Sequence, residues 1–374
     1  MLLCNAVIPG EEGFVTGMSV RVTDGYVTEV GRELAPAADE TVVGLDGDYL
    51  LPGFVDVHIH AFGGCDTMAG EAAVRAMSRS LYREGVAAFL PTTMSAPAEE
   101  TRRAVAGIRA VMDAPEAQGA RVPGAHMEAP FLNPDKCGAQ RAEYLCAPDW
   151  QTFLDLTGGD VAAVRTITVA PELPGAEAFI RRAADHGISV SLGHSAADAR
   201  TAHAAAEWGA TRSTHTFNAQ PALHHREPGL TGAALTDDRF WTEFIADGVH
   251  LHGDAVRLII RCKGADKAVA ITDAMEAAGL PDGAYALGGQ PVTVRAGQAR
   301  LADGTLAGSV LTMRQALHNL IHVFGVAPFD AVRMCTRTPA ESIGERTLGR
   351  MIPGSPVPLT RWSQDWQYIS IIGG

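Results

Sequence analysis

Two histidines, His58 and His60, stand two residues apart at the end of the run Phe54-Val55-Asp56-Val57. On a strand, a period of two places both imidazoles on one side, the spacing at which two ring nitrogens reach one ion. Acid and imidazole groups recur at the ends of later short apolar runs: Glu128, His194, His215, Asp247 with His250, and Asp273. Imidazole nitrogen and carboxylate oxygen are donors that zinc and related divalent ions accept, and a catalytic site keeps one position open for water. A bound ion acidifies that water, so the constellation predicts hydrolysis at a metal centre. Each residue alone has an ordinary structural reading; Asp273 in Thr-Asp-Ala would serve as a helix N-cap. The weight lies in the recurrence.

Such groups converge only if the elements carrying them share one face. Strands are expected at Phe54–His60, Ala87–Thr93, Gly124–Glu128, Thr166–Ala170, Ser189–His194, Arg212–Thr216, Trp241–Asp247 and Ala268–Asp273. Helices are expected between them, as at Glu71–Glu84, Thr101–Met112, Ala176–His186, Ala197–Trp208 and Ala255–Cys262. Strand–helix alternation implies a parallel sheet. Eight repeats imply closure into a (β/α)8 barrel, an α/β fold whose catalytic face is the C-terminal end of the strands. An open doubly wound sheet competes, but no Gly-x-Gly-x-x-Gly follows the first strand. Residues 1–50 read as short strands with tight turns, such as Thr23-Asp24-Gly25. Residues 280–307 form a second set of turns and strands, with helices expected at Met313–Val323 and Asp330–Cys335. The tail, 349–374, is expected to lend strands to the N-terminal unit.

His126, two residues before Glu128, reads as a supporting residue. His186, His203, His318 and His322 fall on helical segments and read as structural, while His224 and His252 lie in loops. Cys65 and Cys137 stay outside the ligand set. With 47% hydrophobic residues the chain can bury a large core. Its formal net charge of −13 disfavours nucleic acid and anionic membranes, though not a small anionic substrate. Six scattered cysteines without a C-x-x-C pair read as reduced thiols of a cytoplasmic protein. Neither a signal-peptide pattern nor an apolar run of about 20 residues is present, so no membrane partner is expected.

The run Pro52–His60 resembles the first-strand signature of the amidohydrolase superfamily. Together with it, His126–Asn133, Gly193-His194-Ser195, Thr214–Ala219, Arg226-Glu227-Pro228-Gly229, Asp247-Gly248-Val249-His250, Thr272-Asp273-Ala274 and Leu306–Ser309 resemble the N-acetylglucosamine-6-phosphate deacetylases, in that family's order. The resemblance implies a TIM-like barrel (51–345) flanked by a small β-sandwich built from both chain ends (1–50 and 346–374). It implies that Glu128, His194 and His215 bind a divalent metal. His58 and His60 match the branch that holds a second ion, with Glu128 bridging. One or two ions per subunit follow, zinc first, with iron, manganese or cobalt as alternatives. Asp273 matches the catalytic acid/base, taking a proton from the attacking water and passing it to the departing amine. His250 joins the metal in stabilising the oxyanion. Asn218, Ala219 and Arg226 are implied to bind phosphate, for which the planar guanidinium fork is suited. In the family this arginine reaches into the partner subunit's site, which implies a homodimer; His225 beside it would add charge. Ala139, Gln140, Asp247, Gly248, Val249, His250, Leu306, Ala307 and Gly308 complete the implied substrate-binding set.

The chain departs from the family in three places. Ala129 stands where glycine is usual, which requires a backbone without positive φ there. Gln140 stands where histidine is usual; it can still bond a sugar hydroxyl but carries no charge. The tail lacks the usual Asp-rich closing pattern. The alternatives are the galactosamine epimer or a related N-acyl amino sugar, another C–N hydrolase of the superfamily, and a non-catalytic barrel that serves as a scaffold. Other hydrolases lack the Arg-Glu-Pro-Gly and Asn-Ala pieces, and scaffold barrels have usually lost ligands that are all present here.

Overall fold

Eight parallel strands form one sequentially ordered sheet. They are β1 (Phe54–Ile59), β2 (Val86–Thr93), β3 (Ala125–Met127), β4 (Val164–Val169), β5 (Ser189–Leu192), β6 (Ala210–Ser213), β7 (Trp241–Ile245) and β8 (Ala268–Ile271). This computed structural model describes residues 1–373; Gly374, the last residue of the expected C-terminal segment, lies outside the described residues. Every residue of β1 and β2 is buried, as expected of strands covered on both faces. Hydrogen bonds just past the strand ends close β1 onto β8. Asp273 N–H donates to His58 O at 2.8 Å, and the N–H groups of His60 and Ala61 donate to Ala274 O at 3.0 Å. The Asp56 carboxylate reinforces this seam by accepting the Thr272 hydroxyl at 2.5 Å. Burial pushes the Asp56 carboxyl up to about 7, against the opposing bonds from Thr272 and His58.

A helix follows each strand: α1 (Glu71–Arg83), α2 (Ala98–Asp113), α3 (Trp150–Thr157), α4 (Ala176–Asp185), α5 (Ala199–Trp208), α6 (Gly229–Thr236), α7 (Gly253–Lys267) and α8 (Met313–His318), and two more follow α8, at Pro328–Cys335, where a helix was expected, and Arg337–Ser342. In α4, buried Ala176, Phe179, Ile180 and Ala183 make one apolar stripe. Asp149 and Asp198 cap α3 and α5 by accepting the N–H of Thr152 and Thr201, each at 2.7 Å. Nearly all of α6 is buried, so its sequence offers no polar face to betray a helical period. The helix expected over Met313–Val323 is regular only to His318 and then widens into a π turn, Asn319–Val323. There Asn319 Nδ2 donates to Ala246 O at 2.8 Å.

Most expected strands overran their observed C-terminal ends. The ladders stop before His60, Glu128, His194, His215 and Asp273. These side chains leave the strand direction, and His194, His215 and Asp273 do so with positive φ of 45°, 26° and 50°. A seven-stranded sheet joins the chain ends, with Leu2–Pro9, Phe14–Thr23, Tyr26–Gly31, Val42–Gly44 and Tyr49–Pro52 beside Leu359–Trp362 and Tyr368–Ile372. The tail pairs antiparallel to the head from Leu359↔Pro52 to Trp362↔Tyr49. Buried Trp362 packs edge-on to Phe54, tying this sheet to β1. A three-stranded sheet (Gly283–Leu287, Gln290–Arg295, Gln298–Arg300) is inserted between β8 and α8. Among the described residues, no helix is long and apolar enough to cross a membrane.

Candidate active site

The five expected ligands and Asp273 meet at the C-terminal mouth of the barrel. Glu128 Oε1 lies 2.9 Å from His215 Nε2, 3.1 Å from His194 Nε2 and 3.5 Å from His58 Nε2. Its Oε2 lies 3.3 Å from His60 Nε2. Asp273 Oδ1 lies 3.2 Å from His60 Nε2 and 3.6 Å from His58 Nε2. The donors form two triads, Glu128–His194–His215 and His58–His60–Asp273.

The far side of each ring tests whether this set fits a metal. His60 Nδ1 faces Thr92 O at 3.2 Å and His194 Nδ1 faces Lys136 O at 2.8 Å. A carbonyl only accepts, so Nδ1 carries a proton in both rings, which leaves Nε2 as the atom that would face an ion. His58 Nδ1 meets the Glu243 carboxylate at 3.1 Å, while its Nε2 is buried without a hydrogen-bond partner. Three of the four rings are thus backed by a carbonyl or a carboxylate, as metal-ligating histidines are, whereas His215 Nδ1 is buried without a partner. The charges agree. Burial would raise the Glu128 carboxyl, but His194 and His58 hold it well below the usual carboxylate range. Burial likewise opposes ionisation of Asp273, and His58 and His60 overcome it. Burial would lower the His60 imidazole, yet Asp273 and Glu128 carry it up to about 10. The paired carboxylates demand positive charge, which an entering cation supplies while displacing a proton.

The sequence reading missed the groups beneath this cluster. Fully buried Glu243 in β7 holds His58 with one oxygen, and its other oxygen accepts from Arg212 Nη2 of β6 at 2.5 Å. Burial would raise its carboxyl, but Arg212 and His58 keep it far below the usual range. The signal was an acid inside the strand Trp241–Ile245, since a charge buried there must be paired. His126, expected to support, bonds Thr168 Oγ1 at 2.8 Å and packs its ring 4.5 Å from that of His58. Burial pushes its imidazole down to about 3, so it packs as a neutral ring.

A cavity of about 350 Å³ opens over the cluster, lined by His60, Glu128, His194, His215 and Asp273. Ala139, Gln140, Asn218, Ala219 and His250 also line it, as do Leu306 and Gly308. Lys136, Met94 and Thr305 line it without having been expected. Asp247, Gly248 and Val249 are not among the lining residues. Asp247 instead accepts His250 Nδ1–H at 2.7 Å, fixing that ring. Ala307 is fully buried in the apolar cluster that holds Met275 and Leu287, and it does not line the cavity. Arg226 lies in an exposed loop, its Nη1 2.9 Å from His225 Nε2, and does not line the cavity. Gln140 does not present a free amide, because it bonds Glu128 and Ser95. Ala129 has no positive φ, so the extra methyl group is accommodated. A larger cavity of about 780 Å³, bordered by Tyr26, Arg121 and Glu345, has no histidine in its wall, so size does not mark the chemistry.

Gly308 brings its loop onto Asp273. At φ +63°, a Cβ there would lie 2.8 Å from Asp273 O. The same oxygen accepts Ser309 N–H at 2.8 Å, which locks the strained Asp273 backbone.

Comparison with known proteins agrees with this geometry. Residues 49–370 match the profile described as "Amidohydrolase family". The chain is 37% identical to an N-acetylgalactosamine-6-phosphate deacetylase of Escherichia coli, covering 92% of this chain and 90% of that one. It is 36% identical to an N-acetylglucosamine-6-phosphate deacetylase of Bacillus subtilis, covering 92% and 88%. A solved structure of the N-acetyl-D-glucosamine-6-phosphate deacetylase from Mycobacterium smegmatis superposes with a TM-score of 0.90 at 30% identity, covering 100% of this chain and 98% of that one. With barrel, donor set and full-length likeness in accord, the chain belongs to the amidohydrolase family, in its N-acetylglucosamine-6-phosphate deacetylase branch.

Proposed function

We propose that this chain hydrolyses the acetamide of N-acetylglucosamine 6-phosphate to glucosamine 6-phosphate and acetate. The observation that carries the reading is the convergence of Asp273 with Glu128 and four histidines beneath one cavity. Glu128, His194 and His215 are assigned to one divalent ion, and His58 and His60 to a second that shares Glu128. Zinc is the assigned metal, consistent with imidazole and carboxylate donors. When bound, such an ion supplies Lewis acidity, which acidifies water and polarises an amide carbonyl. Asp273, held ionised by the neighbouring imidazoles, is assigned to take the proton of the attacking water and deliver it to the departing amine. His250, oriented by Asp247, is assigned to the carbonyl oxygen as negative charge develops.

Asn218 and Ala219 in the cavity wall are assigned to the phosphate. Arg226, without an ion pair among the described residues, is assigned to the phosphate in the second subunit of a homodimer. The remaining sugar contacts are assigned to Ala139, His250, Leu306 and Gly308. The division into 1–50, 51–345 and 346–374 belongs to the same reading, supported by the sheet that joins both chain ends. So does a cytoplasmic location, supported by six free cysteines.

The likeness to an N-acetylgalactosamine-6-phosphate deacetylase favours a second reading, the epimeric substrate. Steady-state kinetics with both phosphorylated epimers and with unphosphorylated N-acetylglucosamine separate the cases. The proposal expects the highest kcat/KM for N-acetylglucosamine 6-phosphate. A higher value for the galactosamine epimer would transfer the assignment to it, and equal turnover without phosphate would remove the phosphate site.

A further inference from the structure

The Gln140 side chain is committed at both ends of its amide. Oε1 accepts the Ser95 backbone N–H at 2.6 Å, and Nε2 donates to Glu128 Oε2 at 2.5 Å. A backbone N–H can only donate, so the amide atom facing Ser95 must be oxygen. That fixes the flip of the amide and forces the nitrogen onto the carboxylate. The remaining capacity of Nε2 is turned to the Met94 sulfur at 3.5 Å. The residue is 5% exposed, so this geometry is enclosed by protein.

What the amide holds is the pivot of the centre. Glu128 alone approaches all four histidines, with Oε1 toward His194, His215 and His58 and Oε2 toward His60. Rotation of its carboxylate would exchange these contacts. Gln140 bonds only the oxygen on the His60 side, and the bonded oxygen keeps a further lone pair for a cation. We propose that Gln140 is a positioning residue that fixes Glu128 across the two halves of the metal centre rather than a ligand of the sugar. The inference rests on the metal-dependent reading above and concerns the His58–His60–Asp273 half most directly, because that half meets the oxygen Gln140 holds.

Zinc affinity and stoichiometry, measured by chelator competition without substrate, test this on wild type, Gln140→Leu and Gln140→His. Partners behind ligating groups commonly change metal affinity about 10–100-fold. The expected result is a loss of that size in Gln140→Leu, borne by the second equivalent of zinc, and recovery in Gln140→His, which restores an N–H donor. At saturating zinc, KM for the phosphorylated sugar should match wild type. Unchanged zinc affinity with a raised KM would overturn the proposal and make the amide a sugar ligand. Thermal melts report folding, and Gln140→Met serves if the leucine variant does not fold. Because zinc binding is read without substrate, failure of the substrate assignment would leave this test standing.

Discussion

His58 is held from behind by a buried ion pair, Arg212–Glu243, that contributes nothing to the cavity wall. Removing one partner strands the other charge inside the barrel. Arg212→Met should therefore destabilise the fold by about 3–5 kcal/mol, read by urea unfolding. The double variant Arg212→Met/Glu243→Leu should regain most of that stability yet still bind zinc more weakly, because His58 has lost its orienting carboxylate. Equal zinc affinity in the double variant would show that the pair only fills the core. At this scale the sequence was legible where chemistry repeats. His58, His60, Glu128, His194, His215 and Asp273 were visible because each ends an apolar run. Glu243 and Arg212 were not, because they sit inside strands and are explained only by the partners that the barrel brings to them. Gln140 was read as a sugar contact because sequence shows a residue's type and not what has already engaged its amide.

The strands and their order were legible because β-branched runs alternate with amphipathic helices, and both chain ends read as β structure. Boundaries failed where function bends the backbone: the ladders end early so that His194, His215 and Asp273 can turn inward. The element that stabilises this bend at Asp273 is the loop through Gly308. Gly308→Ala must carry a Cβ at φ +63° and press it against Asp273 O. Strain of this kind costs about 1–3 kcal/mol. Gly308→Ala should lower both the melting temperature and kcat, with a smaller effect on KM. A variant with wild-type kcat would show that the loop does not position Asp273. The helix α6 and the π turn after α8 were not visible in the sequence because a helix buried on nearly every side has no polar face and a π turn has no sequence period.

Over the whole molecule, charge predicts two behaviours. In the terminal sheet, hydrogen bonds from Arg21 and then from the Ala37 backbone hold the Glu40 carboxyl down to about 2. A depressed acid stabilises the fold above its unfolded pKa, and that contribution fades as pH falls through the folded value. Glu40→Gln should thus be less stable than wild type above the ordinary carboxyl value of 4.5, with the difference closing as pH drops toward about 2. A difference that persists unchanged at the acid end would contradict the assignment, as followed by denaturant unfolding across that range. The second behaviour concerns assembly. If Arg226 serves a neighbouring subunit, Arg226→Ala raises KM for the phosphorylated sugar, and mixing it with an Asp273→Asn variant regenerates a complete site. Recovery of activity on subunit exchange supports the homodimer; two variants that stay additive in their defects would place Arg226 elsewhere.

On the proposed function, Asp273 moves the proton at a metal centre built from five ligands. The most direct test is acetate release from N-acetylglucosamine 6-phosphate by wild type and Asp273→Asn, each with bound metal measured on the same sample. The expected result is metal in both proteins, turnover in wild type and loss of at least about a hundredfold in the variant, as for removal of a general acid/base. Turnover by Asp273→Asn at the wild-type rate with metal in place would contradict it.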